Sequence, residues 1–348
     1  MSYIILFGGS SFEHEISIVS AITLKEKLAG ERVEFIFLDK DREFYQISPD
    51  QMKSRYFASG AYKKGRRVEM GRGGFYQVGF LGNKKKVPGK VVINLIHGRD
   101  GEDGKIPGML SFYRIKAITP PVEGCAISYN KVLTKYYASG VGVKVVDWKI
   151  AQGEEPPFPL PVIIKPARLG SSIGVSVAKT PEEYRYGLDV AREFDPLVIV
   201  EPFIEGVEEF NLAGCWVNDQ KEEGEWLFSR VEPVKKQEFL DYNQKYLDFS
   251  RRETQVAPVD PQLETRLKEA FKKIYGTSFR GALIRCDFFR INGEIYLNEI
   301  NPIPGSLANY LFEDFPGTLR RLAQSLQLER EIEIDYRYIN QIQQAKGK

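Results

Sequence analysis

Apolar residues fall in short runs set apart by glycine and polar punctuation, and their spacing predicts alternating strands and helices. Residues 3–7, Tyr-Ile-Ile-Leu-Phe, form a continuous apolar run of strand length. A turn, Gly8-Gly9-Ser10-Ser11, follows, and then Ile16, Val19, Ile22, Leu24 and Leu28 recur at helical spacing through Glu13 to Lys27. Residues 33–38, Val-Glu-Phe-Ile-Phe-Leu, read as a second strand. This order of strand, turn, helix and strand predicts a doubly wound parallel sheet at the N-terminus of an α/β protein. Further along, residues 91–95 are a buried strand ending at His97-Gly98, and residues 128–139 look helical. Pro156 to Pro161 is a stiff linker, residues 162–165 a strand, and Gly170-Ser171-Ser172-Ile173-Gly174 a glycine loop between strands. Thr180-Pro181 opens a helix to residue 193, residues 197–200 are a strand, and residues 261–275 are a long amphipathic helix.

The richest stretch runs from Arg285 to Ser306. It reads as two strands around an Asn292-Gly293 turn. Alternation brings Asp287, Glu299 and Asn301 to one side of the hairpin. Two carboxylates and an amide oxygen make a hard oxygen cage, suited to Mg²⁺ that keeps waters and also takes phosphate oxygens. The plain alternative is an exposed hairpin with solvated acids.

The 348 residues predict two or three domains. Basic residues number 49 against 47 acidic ones, so no overall field points to nucleic acid or to a membrane. Lys63-Lys64 with Arg66-Arg67 and Lys84-Lys85-Lys86 lie in a Gly-rich stretch over 60–90, best read as a solvated hairpin or loop. No apolar run is long enough to span a bilayer, and residues 1–7 read as a strand rather than a leader. Three scattered cysteines and two histidines leave no zinc or redox spacing, which points to reduced thiols and the cytoplasm.

Lys165 ends an apolar strand, where a lysine is ordinarily a snorkelling surface residue. The loop that follows offers backbone N–H groups and the Ser171 and Ser172 hydroxyls to phosphate oxygens, although it lacks the Lys-Ser/Thr of a P-loop. Glu201-Pro-Phe203-Ile204 is an acid at a strand end followed by apolar residues, either a domain linker or a hinge that clamps an adenine ring.

Taken together, these motifs resemble the D-alanine–D-alanine ligases of the ATP-grasp superfamily, in the version found in Helicobacter-type bacteria. The likeness covers nearly the whole chain. It is carried by Gly8-Gly9-Ser-Ser-Phe-Glu13-His-Glu-Ile-Ser17, by His97-Gly-Arg-Asp-Gly-Glu102-Asp-Gly104, and by Asn130-Lys131-Val-Leu-Thr-Lys135. It continues through Lys165-Pro-Ala-Arg-Leu-Gly-Ser171-Ser172-Ile-Gly174, Lys245-Tyr246, and Arg285-Cys-Asp287 to Asn301-Pro-Ile-Pro-Gly305.

The resemblance implies a three-domain ATP-grasp fold, divided as 1–119, 120–200 and 201–348, with a lid in the last part. It implies ATP-dependent joining of two D-alanines through an acyl phosphate, for cell-wall peptidoglycan, in a cytoplasmic homodimer with no nucleic-acid or membrane partner. Lys131, Lys165 and Ser172 would then hold ATP phosphates, with Glu201, Phe203, Ile204 and Glu209 around adenine and ribose. Asp287, Glu299 and Asn301 would hold two Mg²⁺, for which Mn²⁺ can substitute. Glu13 would receive the ammonium of the first D-alanine, at the mouth of a helix whose dipole favours anions. His97 would lie near it, and Ser171 would belong to the catalytic set. Arg285 and the Gly305 N–H would stabilise the oxyanion. Lys245, Tyr246, Tyr310 and Leu311 would grip the second D-alanine, with Tyr246 matching a peptide rather than an ester product.

Two positions depart from the family's pattern. Leu240 stands where many relatives have tyrosine, and Tyr310 where many have serine. A lid over 206–250 with hinges at Gly206 and Gly214 would shield the acyl phosphate from water. A ligase using D-lactate or another D-acceptor, and a nucleotide binder without turnover, are the alternatives that a shared fold allows.

Overall fold

The computed structural model describes residues 1–79, 82–218, 223–234 and 259–346. Leu240, Lys245, Tyr246 and the 236–245 part of the expected lid lie outside the described residues. Three sheets organise the chain, of eight, four and six strands.

The N-terminal sheet has two halves. Ser2–Gly8 lies inside the parallel half, between Arg32–Leu38 on one side and Val91–Asn94 on the other. Ala117–Ile118 adds a further parallel strand. The other half is antiparallel, running through Phe44–Ile47, Arg66–Gly71, Gly74–Val78 and Lys84–Lys86. The stretch over 60–90, expected as a solvated hairpin or loop, holds the hairpin of Arg66–Gly71 and Gly74–Val78 at the sheet's margin, and its last strand is three exposed lysines. Edge lysines resist pairing with another chain.

The first helix, His14–Lys27, buries Ile16, Ile18, Ala21 and Leu24, while Val19 is exposed. Its inward face is thus rotated from the one predicted, because it also buries two serines. Ser17 Oγ accepts from Gly8 N at 2.8 Å and donates to Leu95 O at 2.6 Å. Small hydroxyls let the helix sit against strand ends whose backbone groups need partners. The helical stretch expected over 128–139 falls across two helices, Val122–Tyr129 and Lys131–Gly140. Asn130 breaks them apart in an extended conformation, and its side chain caps the second helix by accepting from Val132 N at 3.0 Å.

The four-stranded sheet is antiparallel, in the order Lys149–Ile150, Val198–Pro202, Val162–Pro166, Ser176–Ala178. Helix Pro181–Phe194 covers it, started by Thr180 as expected. The six-stranded sheet is built on Glu208–Val217, Ile284–Ile291 and Glu294–Asn301. Gly214, expected as a hinge, sits inside a strand between Phe228 and Ile284, where the ladder fixes its backbone. Lys144–Val145 joins the edge of this sheet and Lys149–Ile150 joins the other, so one short segment serves both.

The hairpin closes through Asn292 and Gly293, with φ of 50° and 80°, the paired positive values of the predicted turn. One feature departs from simple alternation. Asp287 pairs with Glu299, but Phe288 pairs with Leu297, so Asn298 is an extra residue. This bulge changes which parity faces inward. Ile295 and Leu297 point into the core, yet Glu299 and Asn301 lie on the opposite face, while Ile300 returns to the core. Without the bulge, the core-facing set and the polar set would occupy one side.

Deleting Asn298 removes the bulge and sets Leu297 and Glu299 in plain alternation, so Glu299 and Asn301 are expected to stay opposite the core and the melting temperature to fall by less than about 10 °C. Asn298→Ala keeps the residue count and is expected to change stability by less than about 1 kcal/mol. Thermal unfolding followed by circular dichroism checks both.

Candidate active site

The hairpin face is the site's floor. Strand pairing aligns Asn211 with Asp287 and Asp287 with Glu299, and places Arg285 beside Asn301. Arg285 grips Asp287 in a two-pronged pair, Nε to Oδ1 at 2.7 Å and Nη2 to Oδ2 at 2.8 Å. Asn301 Nδ2 donates to the same Oδ2 at 3.1 Å. Burial pushes the Asp287 carboxyl up; Arg285 opposes this, and the charges of Glu299 and Glu209 add to the rise. Glu209 thus acts on this face, whereas its neighbour Glu208 pairs with Arg290 at 2.5 and 2.7 Å.

Among the described residues no three His, Cys, Asp or Glu side chains gather as a closed metal cage. The donor set is open: two carboxylates and an amide, crowded enough that burial and like charge already disfavour the ionised acid. Such a set fits a hard divalent cation that completes its shell with waters and phosphate oxygens.

Facing this floor is a lysine cluster. Lys165, at the end of Val162–Pro166, places Nζ 2.7 Å from Glu201 Oε2, and Lys135 places Nζ 2.6 Å from Glu201 Oε1. Glu201 lies between two cations, and despite its burial these hold its carboxyl at about 2. Lys131, one helical turn before Lys135, donates from Nζ to Leu169 O at 2.5 Å. Arg168 anchors the start of that loop by pairing with the buried Asp195 at 2.6 Å. Lys135 had no role in the sequence reading. Its signal was available: a lysine four residues after Lys131, on the same face of a short helix. Phe203 and Ile204 follow Glu201, half-buried, with Phe203 N donating to Pro161 O at 3.0 Å.

The glycine loop crosses to the N-terminal domain. Ser171 and Ser172 both take left-handed backbone, φ 58° and 57°. Ser171 Oγ donates to Glu13 Oε1 in a short contact, and Phe12 packs edge-on to Phe194 at 5.4 Å. Glu13 is 5% exposed, and its Oε2 has no hydrogen-bond partner among the described residues. Gly98 is required beside it, since a Cβ there would come within 2.6 Å of that oxygen. Glu13 occupies the cap position of the first helix, but its side chain does not cap it. Burial, then the charge of Glu102, raises its carboxyl to about 7. The helix dipole, a fraction of a kcal/mol, does not outweigh that burial.

His97 is buried between Ser20 Oγ, 3.1 Å from Nε2, and Glu102 Oε1, 3.6 Å from Nδ1. Burial lowers His97 to about 4 and raises Glu102 to about 8. Ser20 Oγ also accepts from Ser306 N at 3.0 Å, tying this cluster to the segment Gly305–Leu311. There Ser306, Leu307 and Ala308 are left-handed in succession, φ 48°, 51° and 49°. Each non-glycine residue of this kind costs roughly 1–2 kcal/mol, so the turn must be held from outside. Buried Leu307 and Ala308 hold it by packing, and Asn309 Nδ2 donates to Ser306 O at 3.0 Å. Tyr310 reaches Glu232 Oε2 at 2.9 Å. Leu311 is not brought to the site: its side chain is wholly buried in the core shared with the N-terminal domain.

Two sheets facing across a set of lysines and acids, with a glycine loop between strands of one, define an ATP-grasp ligase. Residues 2–120 match the family described as the D-ala D-ala ligase N-terminus, and residues 142–314 its C-terminus. The chain is 53% identical to the D-alanine–D-alanine ligase of Wolinella succinogenes over all of both chains. It is 54% identical to that of Campylobacter concisus, covering 99% of this chain and 98% of the other. The crystal structure of the enzyme from Helicobacter pylori superposes with a TM-score of 0.83 at 46% identity, covering 95% of this chain and all of that one. The chain belongs to the D-alanine–D-alanine ligase family. Among the described residues no helix is long and apolar enough to cross a membrane.

The raised Glu13 carboxyl has a consequence for stability. Its native value of about 7 exceeds its ordinary 4.5, so between those pH values the native state binds more protons than the unfolded chain. Stability from this group is present below about 4.5 and is lost as the pH rises through 7. Relative to wild type, Glu13→Gln is expected to gain roughly 2–3 kcal/mol between pH 4.5 and pH 8, read by urea unfolding at both.

Proposed function

We propose that this chain joins two D-alanine molecules to D-alanyl-D-alanine, using ATP and releasing ADP and phosphate, in the synthesis of peptidoglycan. The observation that carries the reading is Glu13: a buried carboxyl oxygen without a donor among the described residues, with the Glu102 carboxyl acting on it, calls for a cation of ammonium size. The ammonium of the first D-alanine meets that need, with Ser171 and His97 beside it.

ATP lies between the four- and six-stranded sheets, which places it between the second and third of the domains divided at 119 and 200. Lys131, Lys165 and Ser172 hold its phosphates. Glu201, Phe203 and Ile204 frame adenine, and Glu209, on the Asp287 face, serves the ribose. Asp287, Glu299 and Asn301 hold divalent metal, two Mg²⁺ by this reading. Such ions would supply positive charge against the phosphates during transfer.

The first D-alanine's carboxylate attacks the terminal phosphoryl group, giving an acyl phosphate and ADP. The amine of the second D-alanine then adds to the acyl carbon, and phosphate leaves. Arg285 serves the oxyanion formed in that addition. Its pair with Asp287 uses Nε and Nη2, which leaves the Nη1 donors toward the substrate. The Gly305 N–H, next to the strained turn, serves the same oxyanion by this reading. Tyr310, with Lys245 and Tyr246, holds the second D-alanine.

Phosphate release from ATP and Mg²⁺ is expected to require D-alanine and to yield D-alanyl-D-alanine by mass. L-alanine is expected to be inert, and D-lactate with D-alanine to give no ester. Arg285→Met is expected to lower kcat by about 10²–10³-fold with the ATP KM little changed. ATP turnover that ignores D-alanine would contradict the reading.

A further inference from the structure

The nucleotide side of the site holds one more lysine than the phosphates require. Glu201 is shared by Lys135 and Lys165, but the two are not equivalent. Lys165 keeps 12% of its side chain accessible, while Lys135 keeps 2% and Glu201 3%. Apart from each other, Lys135 Nζ and Glu201 Oε1 have no hydrogen-bond partner among the described residues. Lys135 also rises from the buried side of its helix, beside Val132, Thr134 and Ala138. Its ammonium is closed off from solvent, whereas that of Lys165 belongs to a partly accessible side chain.

We propose that Lys135 is the resident counter-ion of Glu201, a positioning residue that keeps this glutamate charged and in place when nucleotide draws Lys165 onto its phosphates. The inference rests on the assignment of Lys165 and Glu201 above. The physical argument is one of redundancy. In the free protein Glu201 has two cations, so losing either one leaves it paired. Once Lys165 turns to phosphate, Lys135 is the cation left against a carboxylate inside the protein. A buried charge stripped of its partner is strongly disfavoured. Lys135 therefore lets Lys165 move without leaving Glu201 exposed to that penalty. Its absence is felt in the nucleotide complex far more than in the free fold.

The test is titration of the full chain with Mg·ADP, alongside thermal unfolding of the free protein and steady-state kinetics with D-alanine. Lys135→Met is expected to weaken Mg·ADP binding by about 10- to 100-fold and to raise the ATP KM in step, with kcat at saturating ATP nearly unchanged. The free protein is expected to melt within a few degrees of wild type. Lys135→Arg, which keeps the charge, is expected to restore most of the affinity. In a Glu201→Gln background the carboxylate is gone, so adding Lys135→Met is expected to cost less than about threefold. That comparison also decides the matter should the single variant not fold.

Unchanged Mg·ADP affinity in Lys135→Met would overturn the inference, as would a loss of melting temperature alone. An equal cost in both backgrounds would overturn it too, since it would show that Lys135 does not act through Glu201. Wild-type protein that binds no Mg·ADP would remove the functional reading and this inference together. D-alanine turnover that fails while the Lys135 pattern holds would remove only the substrate assignment.

Discussion

An acid inside a protein needs a cation, and the arrangement of this molecule follows from how each such need is met. Asp287 has Arg285, Glu201 has Lys135 and Lys165, and Asp195 has Arg168. Glu13 has one carboxyl oxygen, Oε2, without a donor among the described residues. Buried pairs of this kind add little net stability, because desolvation offsets their attraction. Breaking one is costly, however, and so they fix where chains and sheets meet. They also store the charge that a nucleotide, a metal and a zwitterionic amino acid require. A ligand entering this site does not meet bare charges; it exchanges partners with groups already held in position.

Backbone irregularities place these charges. The bulge at Asn298 turns Glu299 and Asn301 toward Asp287 while Leu297 and Ile295 fill the core. The left-handed turn at Ser306–Ala308 sits at the other end of the same strand. It is tied by Ser306 N to Ser20, and through Ser20 to His97 and Glu102. Hydrogen bonds from Ser306 to Ser20 and between Ser20 and His97, with Glu102 3.6 Å from His97, thus tie the turn bearing Gly305 to the cluster around Glu13. Strain held from several sides in this way marks a place where geometry serves chemistry.

Much of this was legible in the residues. The first strand, the first helix's extent, the hairpin and the Asn292-Gly293 turn follow from periodicity and turn chemistry. Asp287, Glu299 and Asn301 were legible as a set, but the reason they meet was not simple alternation. In Ile295-Tyr-Leu297-Asn-Glu299-Ile300 the apolar positions change parity, and that change is the trace of the bulge. Asn130 was hidden because helical spacing continues across it, while its side chain ends one helix and starts another. Lys135 and Ser20 were hidden for a different cause. Each is buried through a partner far away in sequence, Glu201 in one case and Ser306 in the other. Leu311 followed the motif rather than its own chemistry: an apolar side chain next to a site residue packs into the core. The antiparallel half of the N-terminal sheet was masked by glycine and lysine, which favour loops in composition but here form an exposed edge.

The most direct test of the account is a crystal structure of the protein with Mg²⁺, ADP and D-alanine. Metal is predicted on Asp287, Glu299 and Asn301, and the ammonium of D-alanine on the Oε2 of Glu13, which has no hydrogen-bond partner among the described residues. D-alanine bound away from Glu13, or metal held by other residues with the hairpin face left empty, would contradict it.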